Sequence, residues 1–441
     1  MRRLIFLLTA PMLVAGLLAA PASASTWTTD HGDNQRSGYN PAETPYRALS
    51  KAWNTVLDGK VYASPIVVGS TVIVATENNT VYSFMADTGA LRWRRHLRTA
   101  APTSSLACSG NISPVSGITG TPAYDPGTNR IFLVTNTADA QNRAFHEVWG
   151  VSATSGAVAM TRRVSVPGQA ENAEQQRGAL AVSNGNVYLP FGGLAGDCGQ
   201  YRGAVISLKA NGQLGATAYV VPTARMGGIW APGGPVVWKD GSIFVAVGNG
   251  ASTSGPYDYS DSVTRISPTS TRLDYFAPTS WASDNASDLD LGSLTPALTS
   301  SGYILQAGKS GKGYVLRADH LGGIGGQVYT AALCTAFGVS AVTGTTVYLP
   351  CTDGLSRVEV RPDGSFVRVW RSTAASSSPV AGPGALYSVN GSNLVAINAR
   401  NGAQLGSLAL GSSTTRFTTP ALAGNKVFVA TTTSLVAVKV G

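Results

Sequence analysis

The sequence predicts an all-β protein, an eight-bladed β-propeller of four-stranded antiparallel blades closed by strands from both termini. Three observations predict it. One degenerate motif recurs eight times at a period of ~40–60 residues, the spacing of a propeller blade. Glycine is abundant, 51 in 441 residues, while charged residues make up only 12%, the balance of a sheet-rich chain with many tight turns. Helical periodicity is nearly absent beyond the N-terminal segment.

The elements follow in chain order. Residues 1–24 combine Arg2-Arg3, the apolar run Leu4–Ala20 and the small-residue site Ala22-Ser23-Ala24, the pattern of a secretory signal peptide cleaved after Ala24. A membrane anchor is the other reading, but the run is short and contains Pro11. Residues 25–49 show no regular alternation and form a lead-in segment; residues 50–441 form the propeller. Ala52–Val56 is expected to add a strand to the last blade, because a ring closed from both ends leaves no exposed edge.

The clearest repeat runs from Tyr62-Ala-Ser-Pro65 through Ile66–Val74 and Val81-Tyr82 to the turn at Thr88-Gly89. It returns at Thr121-Pro122, Gly178-Ala179, Gly234-Pro235, Thr295-Pro296, Val339–Val342, Ser378-Pro379 and Thr419-Pro420. The unit at Val339–Val360 lacks the leading Pro. Trp93 and Trp370, at unit ends, are expected to lock one blade to the next. The stretches Asn136–His146, Phe191–Gly203 and Asn249–Asp261 read as insertions, and insertions on a propeller lie on its faces, where sites form.

Formal net charge is +9, or +7 without Arg2 and Arg3, yet no basic run or stripe is visible. Nucleic-acid binding is therefore not supported. No later stretch is long and apolar enough to span a membrane, so the expectation is an exported, soluble monomer. Four cysteines in an exported chain allow three pairings. Cys334 and Cys351 flank a hairpin turn near Thr343-Gly344, close to cross-strand register, which leaves Cys108–Cys198 to join neighbouring blades. Gly308-Lys309-Ser310 imitates the end of a phosphate loop, but Tyr303 stands where the upstream Gly belongs.

Trp27 with His31–Pro41, together with the repeats, resembles the pyrroloquinoline quinone (PQQ) β-propeller superfamily from Trp27 to the C-terminus. Gly227-Gly228-Ile229-Trp230 and Gly248-Asn249-Gly250 are similar to a segment of the quinoprotein alcohol dehydrogenases. The resemblance implies that Trp230 forms a floor under the quinone and that Asn249 ligates calcium. Asp288-Leu289-Asp290-Leu291-Gly292 and Gln306–Gly311 resemble the part of those enzymes holding the catalytic base and a cation. It implies Asp288 as base, Asp290 as a second acidic, metal-binding position, and Lys309 at the quinone oxygens. Asn111–Pro122 and Asp288–Gly292 also resemble secreted propellers of the polyvinyl-alcohol-dehydrogenase type.

The departures are specific. Cys108-Ser109 stands where those enzymes carry vicinal cysteines, and no Cys-x-x-Cys-His haem site exists. Asp197 lies only near the place of their calcium-ligating Glu. The residues also have plain readings: Trp230 as an aromatic between blades, Asn249 as a turn residue, Asp288 and Asp290 as acceptors for strand amides, and Lys309 as a solvated loop lysine. The functional expectation is a calcium- and PQQ-dependent alcohol or polyol dehydrogenase that passes electrons to a separate acceptor. The alternative is a non-catalytic secreted propeller that binds protein or polysaccharide.

Overall fold

The computed structural model describes residues 26–415 and 417–441; the expected signal peptide and its cleavage after Ala24 lie outside the described residues. Eight antiparallel blades follow one another along the chain. Each begins with a short inner strand: Ile66–Val68, Ala123–Asp125, Ala181–Ser183, Val236–Val237, Ala297–Leu298, Ala341–Thr343, Val380–Gly382 and Ala421–Ala423. The next two strands of a blade are covered on both faces by its neighbours. They read as unbroken apolar runs such as Ile243–Val247, all buried. The outermost strand faces solvent and is polar or charged, as in Leu91–His96, which discourages edge-to-edge pairing.

Ser50–Val56 is the outermost strand of the last blade, antiparallel to Ser434–Lys439. The ring is therefore closed by strands from both ends of the propeller, as expected. The blade without a leading Pro forms like the rest, from Ala341–Thr343 to Phe366–Ser372. Two blades gain a fifth strand: Glu174–Gln175 pairs with Gly192–Gly193, and Gly323–Ile324 adds in parallel to Phe276–Ala277.

A six-residue α-helix, Trp281–Ala286, precedes the fifth blade, in keeping with the near-absence of helix expected. The insertion at Asn136–His146 is the tip of a hairpin whose strands, Arg130–Ala138 and Ala144–Ser152, have nine residues each. Buried polar side chains at Thr135, Asn136, Thr137, His146 and Glu147 hide this strand pair from a reading based on hydrophobicity.

Neighbouring blades are pinned by tryptophans on outermost strands. Trp53, Trp93 and Trp370 donate their indole N–H to the carbonyls of Ala86, Ala153 and Ala399, at 3.0, 3.1 and 3.2 Å. Each ring lies over a left-handed glycine in a turn of the next blade: Gly89, Gly156 and Gly402. The locking role read from sequence for Trp93 and Trp370 is thus seen, and Trp53 joins them across the closure.

The lead-in is not a tail. Its backbone and side chains reach the inner strands of seven blades. Trp27 pairs with Val67, and Thr28 O accepts from Tyr124 N. Thr29 Oγ1 donates to Leu180 O and Asn34 Nδ2 to Val182 O, while Asn34 O accepts from Val237 N. Ser37 O and Gly38 O accept from Val342 N and Ala381 N, and Asn40 Nδ2 donates to Leu422 O. Short inner strands leave amides and carbonyls facing the axis, and this segment satisfies them.

Candidate functional site

A cavity of about 500 Å³ opens at one end of the ring, within the ~300–1,000 Å³ usual for small-molecule sites. Its walls are connections leading into inner strands and the hairpins between second and third strands of blades three, four and five. Asp197, Trp230, Asn249, Asp288, Asp290 and Lys309 all line it. The six residues singled out in the sequence are therefore brought together from three blades.

The most polar wall is built around Lys309, in the tight turn between Tyr303–Ala307 and Lys312–Arg317. Its ammonium lies 2.8 Å from Asp288 Oδ1 and 2.6 Å from Asp290 Oδ2. Asp288 is exposed, whereas Asp290 is buried and its Oδ1 accepts the Asn249 backbone N–H at 2.6 Å. Burial pushes the Asp290 carboxyl above its usual range, and Lys309 limits the rise. Burial also pulls on Lys309, but the two carboxylates outweigh it and keep the ammonium charged. Behind them Asp261 is raised well above the carboxylate range by burial and by Asp290. Gly248 permits this packing: a side chain there would strike Asp290 Oδ1 and come 3.0 Å from Trp230 Nε1.

The adjoining wall is aromatic and amide-rich. Trp230 is half-buried, with Phe337 and Phe417 at 6.4 and 6.1 Å between ring centroids. Phe417 holds φ +67°, a conformation that costs a bulky residue energy and that clusters at functional sites. Arg177 Nη2 donates to Asn111 Oδ1 at 2.7 Å, and the guanidinium lies 5.7 Å from the Phe417 ring centroid. Gln175, Arg177, Phe337 and Phe417 were not recognised in the sequence, and Asn111 was noted there only as part of a family-like stretch.

The rim loop Gly193–Asp197 is tied down by the Cys108–Cys198 disulfide, with Cα atoms 6.1 Å apart. Asp197 accepts the Tyr201 hydroxyl, and Arg225 holds the carbonyls of Asp197 and Gly199. Cys334–Cys351 is also formed, with Cα atoms 5.8 Å apart. Both expected pairs are present.

A planar tricarboxylate such as PQQ fits this donor set. Trp230 offers a flat face, and Lys309, Arg177, Asn111 and Gln175 offer cations and amides. The expected metal set, Asn249, Asp290 and Asp197, fits a calcium ion less well than the rest of the lining fits the quinone. Among the described residues no three His, Cys, Asp or Glu side chains are grouped to hold an ion. Asp290 already serves the Asn249 amide and Lys309, and Asp197 serves Tyr201. Asn249 and Asp290 are oxygen donors of the right kind, but a calcium ion needs about six to eight oxygens.

The chain is an eight-bladed propeller, and its fold is similar to those of solved quinoprotein alcohol dehydrogenases. Residues 50–190, about a third of the chain, match the PQQ-repeat family model described as outer membrane protein assembly factor BamB. The quinohemoprotein alcohol dehydrogenase of Comamonas testosteroni is similar with TM-score 0.72 and 13% identity, over 95% of this chain and 81% of that one. A europium-containing methanol dehydrogenase gives TM-score 0.72 and 14% identity, over 95% and 98%. BamB of Moraxella catarrhalis gives 0.58 and 11%, over 89% and 98%. No curated protein matches the sequence. Among the described residues no helix is long and apolar enough to cross a membrane.

Proposed function

We propose that this chain is an exported quinoprotein that binds PQQ in the cavity and oxidises an alcohol or polyol, giving electrons to a separate acceptor. The observation that carries the reading is the meeting of Trp230, Asn249, Asp288, Asp290 and Lys309 in one cavity. PQQ, when bound, supplies a quinone that accepts hydride from a carbon bearing a hydroxyl. The chain supplies the rest. Trp230 would hold the planar ring, and the Lys309 ammonium would serve its oxygens. Asp288, exposed at the cavity edge, is placed to take the substrate hydroxyl proton. Asp290, buried under Lys309, positions that ammonium. The two disulfides support an oxidising, extracytoplasmic compartment.

The match of residues 50–190 to the BamB model favours a second reading, a non-catalytic propeller that binds protein or polysaccharide. Titration of the protein with PQQ, followed by heat or by tryptophan fluorescence, separates the two. The quinoprotein reading expects saturable binding that Trp230→Ala weakens most. It also expects Asp288→Asn to keep PQQ while losing alcohol oxidation. No response at tens of micromolar PQQ would leave the binding propeller as the function.

A further inference from the structure

Chain order scatters the cations of this protein, and the ring gathers them. The fourth strands of blades eight, one and two carry Lys51, Arg92, Arg94, Arg95, Arg162 and Arg163 and no acid. The fourth strands of the other five blades add three arginines and one acid, Asp274. Composition does not dictate this sign, since the whole chain has 32 Lys and Arg against 23 Asp and Glu. Protection of a sheet edge does not dictate it either, because a charge of either sign protects an edge.

Two more cations join the wall of blades eight, one and two. Arg47 N donates to Val440 O, and Lys439 pairs with Ser50 across the closing strands. Acids answer only Arg94, through Asp58, and Arg163, through Glu171. Arg47, Lys51, Arg92, Arg95, Arg162 and Lys439 have no ion pair among the described residues. All but the half-buried Arg162 are exposed. Arg95 and Arg162 donate to Gly156 O and Gly215 O, each in a turn of the following blade. Two guanidiniums are thereby fixed across successive blade seams.

We propose that this outer wall binds a linear acidic polysaccharide, a chain with a carboxylate on its sugar units. The proposal does not rest on the reading of the cavity. A guanidinium offers a fork of donors matched to a carboxylate, and a row of cations of one sign attracts a polyanion along its length. Ser50, Asn54 and Thr161, exposed on the same strands, offer neutral hydrogen bonds suited to sugar hydroxyls.

The wall does not suit a bilayer. It curves around three blades, so a flat surface meets only part of it, whereas a flexible chain can follow it. Its exposed aliphatic residues also lie at opposite ends. The fourth strands all run the same way along the wall, and Leu91 and Val158 begin theirs while Val56 ends its own.

The test is calorimetric titration of the full chain with polygalacturonate, with dextran of similar length as the neutral control. Expected is saturable binding at about 50 mM salt that weakens at least about tenfold by about 200 mM, and no binding of dextran. Arg47→Gln/Lys51→Gln/Arg92→Gln/Lys439→Gln should lose at least about tenfold at the lower salt. Lys209→Gln/Lys239→Gln/Arg361→Gln/Arg400→Gln makes the same change in net charge on blades three, four, six and seven. It should lose less than about twofold, because screening confines each charge to its own neighbourhood. Melting curves check that both variants fold. Equal losses in the two variants, or no binding of polygalacturonate by wild type, overturn the proposal. Tighter binding per charge to polyphosphate or to phosphatidylglycerol vesicles also overturns it, in favour of a phosphate chain or a bilayer. The wall variant should titrate with PQQ as wild type does, so wall and cavity are tested apart.

Discussion

Lys309 Nζ lies 2.6 Å from the buried carboxylate of Asp290 and 2.8 Å from the exposed carboxylate of Asp288. The two contacts are not equal. Exposed pairs contribute about 0–1 kcal/mol because water screens them, so Asp288→Asn should leave stability nearly unchanged. Breaking a buried pair from one side costs more, about 3–5 kcal/mol when both groups are fully buried. Lys309 is partly exposed, so Lys309→Met should cost less than that but clearly more than Asp288→Asn. Asp290→Asn added to Lys309→Met should restore part of the loss, since no unpaired buried carboxylate of this pair then remains. Urea unfolding of wild type, Lys309→Met, Asp290→Asn and the double variant measures the coupling; additive effects would show that the pair is not coupled.

Gly156 takes φ +66° in the turn that Trp93 covers. A Cβ there would lie 2.5 Å from Trp93 Cε3, well inside contact distance. Gly156→Ala combines backbone strain with displacement of the indole from the Ala153 carbonyl, so it should destabilise the ring by about 1–3 kcal/mol. Gly168 also has positive φ but has open space around it. The same change there should cost only the backbone strain, about 1 kcal/mol. Comparing the two melting temperatures separates blade docking from turn conformation.

The contrast between these glycines also marks what the sequence discloses. Blade number, the closure by Ser50–Val56 and the Trp93 and Trp370 docks were legible, because repetition and apolar runs report burial directly. Trp230, Asn249, Asp288 and Lys309 were legible only through family resemblance. Arg177, Phe337 and Phe417 went unread because each stands in a connection whose local sequence has no pattern. Their signal is positional: each lies four residues before an inner strand, where the chain passes the axis. It becomes visible once the inner strands of all eight blades are aligned. The calcium set shows a different limit of the sequence. Residue types say that Asn249, Asp290 and Asp197 can donate oxygen, but not that Lys309, a backbone amide and Tyr201 already use them.

Glu174 gives the fold a pH dependence. Its carboxyl oxygens are buried, with at most the Val166 backbone in reach, and burial raises it from its usual 4.5 to about 8. Across that window the native state keeps a proton that the unfolded chain releases. Stability is therefore fully present below about 4.5, falls as pH rises, and is flat above about 8. Glu77 acts in the same direction up to about 7, while His146, lowered to about 4 by burial, acts oppositely below its usual 6.5. Between pH 7 and 8, Glu174 dominates among these three. Glu174→Gln should flatten the loss there and melt higher than wild type at pH 8. A variant that melts lower at pH 8, or keeps the slope, would falsify the assignment.

The Cys108–Cys198 bridge should matter more to the cavity than its distance from Trp230 along the chain suggests. The two cysteines are 90 residues apart, and closing a loop of that size is worth about 4–5 kcal/mol in the chain-entropy model. Cys334–Cys351, 17 residues apart, closes a loop worth about 3 kcal/mol. Both double alanine variants should therefore melt lower than wild type. Their effects on the cavity should differ. Cys198 follows directly on the rim residues Gly193–Asp197, and Asn111, three residues beyond Cys108, orients Arg177. Releasing that bridge frees the rim and the partner of the guanidinium together, so a ligand would have to order both on binding. Cys351 lines a separate pocket beside the site, which it shares with Phe337 and Phe417. At a temperature where both variants remain folded, Cys108→Ala/Cys198→Ala should bind PQQ several-fold more weakly than Cys334→Ala/Cys351→Ala. Equal affinities in the two would show that the rim is held by Tyr201 and Arg225 alone.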